Sequence, residues 1–130
     1  MCGIAGQLSF KTPVQESQIV LMTNALKHRG PDGDGIWVNS NGNIGLGHRR
    51  LAILDLTENG RQPMHSDCGR YSITFNGEIY NYIELREDLK KLGVKFVSNS
   101  DTEVLLQLYI KHGRTFLKML NGMFSFAIWD

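Results

Sequence analysis

The second residue of the chain is a cysteine, in MCGIAG, and only one other cysteine, Cys68, follows. Removal of Met1 ahead of so small a residue would give Cys2 a free α-amine. A thiol with an ordinary pKa of about 8.5 and an amine near 7.7–8.0 would then share one residue. A nucleophile and a base titrating close to neutral pH would stand side by side, as in the threonine version of the pairing. Gly3, Ala5 and Gly6 leave room for a substrate to approach the backbone. The alternative is a small buried cysteine in an edge strand.

Other residues offer complementary chemistry. In Asn76-Gly77-Glu78 the Asn76 amide and the Gly77 N–H could together face a developing oxyanion, with Glu78 beyond them to receive a cation. Asn-Gly occurs four times, at 41, 59, 76 and 121, and the plainer reading of each is a turn. Arg50 is either a strand-end charge or a two-pronged fork for a carboxylate, a geometry lysine cannot supply. Asp101 fits the first turn of a helix, where an acid suits the macrodipole. Arg50, Glu78 and Asp101 together would match both charged ends of an α-amino acid.

Several classes are excluded or unsupported. A net charge of +1 from 14 basic and 13 acidic residues sets up no field for nucleic acid or an anionic membrane. No apolar run approaches the ~20 residues of a membrane span, and no basic segment precedes an apolar one at the start. The expected setting is cytoplasmic, with both thiols reduced. His65 to Cys68 and the scattered His28, His48 and His112 lack the spacing of a zinc site. No P-loop and no GxGxxG are present. No metal and no cofactor is expected for this domain.

The elements that must position these residues follow from pattern. Residues 2–10 read as a buried strand, and Ile19, Met22 and Leu26 give a helix over 16–27. HRGPDG at 28–33 ends it. Strands at 35–38 and 43–50 flank Asn41-Gly42, a strong hairpin signal. Further strands are expected at 51–54, 71–75, 94–97 and 123–129. Tyr82, Leu85, Leu89 and Leu92 form a helical stripe closed by Gly93. Ser100-Asp101-Thr102-Glu103 fits a capping box opening the next helix, and 116–120 add a helical turn. Strands and helices in this mixed order, joined by hairpins, favour α+β with largely antiparallel sheets in one domain.

Taken together, MCGIAG, HRGPDG, GHRRLAILDL (47–56), RQPM (61–64), FNGEIYN (75–81), SDTEV (100–104) and NGMFSFAIWD (121–130) resemble the glutamine-hydrolysing domain of asparagine synthetases. These are class II glutamine amidotransferases among the N-terminal-nucleophile hydrolases, and the resemblance runs through the whole chain in order. It implies a four-layer α/β/β/α sandwich and hydrolysis of L-glutamine by Cys2. Arg50 would hold the α-carboxylate, Leu51, Ile53 and Leu54 would shape the pocket, Asn76 and Gly77 would form the oxyanion hole, and Glu78 and Asp101 would hold the α-ammonium. Residues 28–33 would form a mobile loop. The resemblance further implies a C-terminally truncated domain over 1–130, because the family's domain continues past NGMFSFAIWD. It implies a synthetase domain in cis, absent here, where ATP and Mg would act on aspartate, and a homodimer as an assembly option. The rival expectation is a non-catalytic module that binds an amino acid or a partner.

Overall fold

A computed structural model describes residues 1–130 as two three-stranded antiparallel sheets with helices outside them. The first sheet contains β1 (Gly3–Leu8), β2 (Gly33–Val38) and β3 (Ile44–Arg50), in the order β1-β3-β2. The second contains β4 (Met64–His65), β5 (Ser72–Ile79) and β6 (Gly122–Trp129), in the order β4-β5-β6. Helix α1 (Glu16–Ala25) covers the first sheet, while α2 (Tyr82–Lys91) and α3 (Asp101–His112) belong to the second.

The sequence of β3, IGLGHRR, explains the layering. Alternate side chains of a strand face opposite sides. Gly45 and Gly47 face α1, where a Cβ on Gly47 would lie 2.0 Å from Thr23 Oγ1 and one on Gly45 2.7 Å from Ile19. These glycines let the helix sit directly on the strand. Arg49, on the same face, donates to Thr23 O at 3.2 Å and to Asn24 Oδ1 at 2.5 Å, satisfying groups at the helix C-terminus. His48 and Arg50 take the other face, toward the second sheet. There Thr74 Oγ1 donates to Gly47 O at 3.2 Å, tying the sheets together.

The main core lies between the second sheet and its helices, and includes Ile73, Phe75, Ile79, Leu85, Leu89, Leu105, Leu108 and Phe116. Burying such side chains contributes roughly 1.5–3 kcal/mol each. The layers therefore run helix, sheet, sheet, helix, as the four-layer α+β expectation holds.

Several local expectations are corrected. Met22 is exposed, and the buried stripe of α1 is Ile19 with Thr23. Residues 51–54 are not a strand. The chain there curls around Arg50, whose guanidinium takes the carbonyls of Asp55 and Thr57. Residues 94–97 are not a strand either, because Val97 and Ser98 give their N–H groups to the Glu103 carboxylate at 2.9 and 2.6 Å. Only half of the capping box forms: Ser100 Oγ accepts from Glu103 N, while the Glu103 side chain is committed to residues 97 and 98. Most consequential, Asn76-Gly77 lies inside β5, opposite Ser125 and Phe124.

Candidate active site at the open edge of the second sheet

In an antiparallel pair, residues alternately bond to the partner and face away from it. Tyr80 N–H donates to Asn121 O at 2.7 Å, one step beyond the Ile79–Gly122 pair. The even-numbered residues of β5 therefore bond to β6, and the odd-numbered ones face the opposite edge. The two-residue β4 covers that edge only beside Ser72 and Ile73. Beyond it, the backbone groups of Phe75, Gly77 and Ile79 need other partners.

Side chains from other elements supply them. The Phe75 N–H donates to Gln62 Oε1 at 2.6 Å, and Phe75 O receives His48 Nε2 at 3.2 Å. The Ile79 N–H donates to Asp101 Oδ2 at 3.1 Å. Gly77 lies between these two filled positions and lines a cavity beside the edge. A Cβ there would lie 2.3 Å from Met123 O, so close approach of β6 requires glycine. Asn76 Oδ1 is buried with no hydrogen-bond partner, an uncommon state for a buried polar atom.

The same cavity collects most of the residues expected from sequence: Cys2, Arg50, Leu51, Ile53, Leu54, Gly77, Glu78 and Asp101. Asn76 is not among its lining residues. Cys2 is half-buried at the end of β1, and its Sγ receives the Leu51 N–H at 3.3 Å. Arg29 Nε donates to Cys2 O at 3.0 Å and anchors the residue from the HRGPDG segment. That segment is packed against β3, where a Cβ on Gly30 would lie 2.4 Å from the Arg49 carbonyl carbon. Met1 also borders the cavity and holds the Cys2 nitrogen in a peptide bond.

Arg50 is oriented by the loop that follows it. Of its five N–H donors, one goes to Thr57 O at 3.0 Å and one to Asp55 O. Three have no protein partner, and Arg50 lines the cavity. A Cβ on Gly60 would meet Arg50 Nη2 at 2.6 Å, so the small residue makes space for the fork. Asp101 is almost fully buried. Burial raises its carboxyl above the ordinary range, against the lowering effect of backbone N–H donors, and Glu78 nearby raises it further. A cation at this position would relieve both charges.

His48 and Gln62 were not singled out by sequence reasoning. His48 is buried, and desolvation lowers its pKa from 6.5 to about 4, so it is neutral at pH 7. A carbonyl only accepts, so Nε2 carries the proton toward Phe75 O; Nδ1 is left without a partner. Gln62 Nε2 donates to Thr102 Oγ1 at 3.1 Å. The available signals were a histidine in alternation with glycines on β3 and the RQPM block, and neither discloses a partner on β5. No group of three or more His, Cys, Asp or Glu side chains is placed to hold a metal ion. Both cysteines are free, with Cys68 exposed in a turn away from the cavity.

Comparison with known proteins gives a consistent picture. Residues 1–130 match the profile of a family described as the glutamine amidotransferase domain. Asparagine synthetase [glutamine-hydrolyzing] 1 of Bacillus subtilis is 46% identical over 134 residues, a match that takes in 100% of this chain and 21% of that protein. Amidase chry2 of Gibberella zeae is 37% identical over 141 residues, again with 100% of this chain and 21% of that protein. The chain thus spans about a fifth of the length of these relatives. The solved glutamine phosphoribosylpyrophosphate amidotransferase of B. subtilis, complexed with ADP and GMP, superposes with a TM-score of 0.74. The match has 26% identity, over 98% of this chain and 34% of that one.

Proposed function

This chain belongs to the glutamine amidotransferase domain family, and we propose that it hydrolyses L-glutamine to glutamate and ammonia through Cys2. The observation that carries this reading is the meeting, in one cavity, of a thiol, a guanidinium fork, two carboxylates and an edge glycine. Arg50 receives the α-carboxylate, and Glu78 with Asp101 receives the α-ammonium. Leu51, Ile53 and Leu54 close the wall beside the aliphatic chain.

Removal of Met1 frees the Cys2 amine to act as base. Its acceptance of the thiol proton lets Sγ attack the side-chain amide carbon, forming a C–S bond as the carbonyl π pair moves onto oxygen. Gly77 N–H and the Asn76 amide hold that oxyanion, and each such donor is worth roughly 2.7–4 kcal/mol in comparable sites. Collapse breaks the C–N bond, with the amine proton leaving on ammonia, and leaves a γ-glutamyl thioester. Water, deprotonated by the same amine, adds to the thioester and expels the thiolate, which recovers its proton.

In the longer proteins to which this domain belongs, the ammonia would pass to a synthetase domain in cis. ATP and Mg would serve the amidation of aspartate there, and no step above uses them. Asparagine synthetase and amidase are both names of relatives, so the acceptor is read from the majority resemblance. A reducing cytoplasmic setting suits the two free thiols.

The test is glutamate release from glutamine by protein whose intact mass starts at Cys2. Turnover that disappears in Cys2→Ala and persists in Cys68→Ala supports the reading. Absence of turnover in the Cys2-initiated protein, or full turnover with Met1 retained, overturns it.

A further inference from the structure

The free edge of β5 is completed by side chains where a strand would ordinarily lie. Phe75 has both backbone groups held, the N–H by Gln62 and the C=O by His48. Those two side chains come from different elements, the β3 strand and the segment before β4, and both are more than nine-tenths buried. Gln62 is fixed in turn by Thr102 at the start of α3. The clamp sits one residue before Asn76 and two before Gly77. Gln62 thus holds the 74–75 peptide plane and His48 the 75–76 plane. Fixing the two planes that flank Phe75 restrains the torsions leading into the next residues, and so the aim of their donors.

We propose that His48 and Gln62 are positioning residues that act through the two peptides flanking Phe75 to aim the Asn76 and Gly77 donors at the reacting carbonyl oxygen. The role rests on the hydrolase reading above. Neither side chain is needed to hold the substrate's α-carboxylate or α-ammonium, which fall to Arg50 and to Glu78 with Asp101. Ground-state binding and oxyanion stabilisation are therefore assigned to different groups, and a defect in the clamp should separate them.

The experiment uses the Cys2-initiated protein and four variants: Gln62→Met, His48→Gln, Thr102→Val and Thr102→Ser. Gln62→Met leaves the Phe75 N–H without its acceptor, and kcat for glutamine should fall about 10- to 100-fold, the scale of a sub-ångström to 1 Å misplacement. KM should stay within about twofold, since binding contacts are retained. Inhibition by the γ-aldehyde analogue of glutamate, which forms a tetrahedral adduct on the thiol, should weaken in step with kcat. Inhibition by glutamate should not change. Thr102→Val, nearly isosteric, should show the same split at smaller size, and Thr102→Ser should restore wild-type values. His48→Gln, which keeps an N–H donor for Phe75 O, should lose less than Gln62→Met. Faster exchange of the Phe75 amide in Gln62→Met, read by NMR, should accompany the loss.

Unchanged kcat and aldehyde inhibition in Gln62→Met would overturn the positioning role. So would equal weakening of aldehyde and glutamate, which marks general loosening of the fold. Wild-type protein that makes no glutamate would defeat the hydrolase reading itself. A wild type and variants that all turn over alike would defeat only the clamp.

Discussion

Two Asn-Gly pairs in this chain have opposite fates. Asn41-Gly42 sits in the loop between β2 and β3, with Gly42 at φ +67°, where glycine relieves backbone strain. Around it the amide of Asn39 makes three hydrogen bonds: Oδ1 accepts from Asn43 N and Ile44 N, and Nδ2 donates to Asn43 Oδ1. Asn76-Gly77 lies within an extended strand, its glycine needed for the approach of β6 and its asparagine oxygen unpaired. The same dipeptide serves folding in one place and leaves hydrogen-bonding capacity unspent in the other. The unpaired Oδ1 shows that no neighbour has claimed the Asn76 amide, next to a glycine that lines the cavity, and an unclaimed amide keeps its Nδ2 donors for a ligand.

The contrast predicts a double dissociation. Asn76→Ala should produce the largest functional effect, a fall in kcat equivalent to roughly 2.7–4 kcal/mol. Its thermal midpoint should hardly move, because no structural hydrogen bond is lost. A small kcat effect would instead assign the oxyanion to the Gly77 N–H alone.

His48 provides the next test, on stability. Its folded pKa of about 4 lies below the unfolded 6.5, so the unfolded chain takes up a proton first as pH falls. Stability from this group is complete above pH 6.5 and is lost between 6.5 and about 4. At 1.36 kcal/mol per pKa step, the gap amounts to about 3 kcal/mol. Denaturation midpoints against pH should show this loss in wild type and a shallower slope in His48→Gln. Parallel curves would mean that the ring is more hydrated than its burial indicates.

Arg50→Lys addresses substrate binding at the same end of β3. Replacing a fork by a point charge should remove roughly 1.5–3 kcal/mol from kcat/KM, chiefly through KM. A change confined to the denaturation midpoint would return Arg50 to a role in shaping the 51–57 loop. On the turn side, Asn39→Ala should lower stability by roughly 1–2 kcal/mol through its lost caps. Gly42→Ala should cost about 1 kcal/mol through its left-handed backbone. Neither should alter glutamine turnover, and an activity loss in either variant would erase the distinction between the two regions.

Much of this arrangement was legible from residue types alone. A run of small and branched residues located β1, and the Asn41-Gly42 and Asn121-Gly122 signals located β3 and β6. Helical spacing with a Gly93 stop or a Ser100 cap located the three helices, all to within a few residues. Gly93, at φ +84°, closes α2 as its position after the leucine stripe implied. The resemblance of seven short blocks named the candidates around Cys2, and eight of the nine line one cavity.

What sequence could not disclose was which partner each polar group would find. Arg49 and Arg50 are adjacent and chemically identical, yet strand alternation sends one to the end of α1 and the other into the cavity. The extended stretch expected at 51–54 gave its Leu51 and Ala52 N–H groups to distant partners, Cys2 Sγ and Asp32 Oδ2, and that at 94–97 yielded to the Glu103 carboxylate a few residues on. Asn76-Gly77 became strand because pairing with β6 outweighed a local turn preference. His48 and Gln62 acquired their positions only when two sheets met and one edge of β5 was left uncovered. Local periodicity is written into the order of side chains along the chain. Hydrogen-bond satisfaction across an edge depends on which elements end short, and tertiary packing alone decides that.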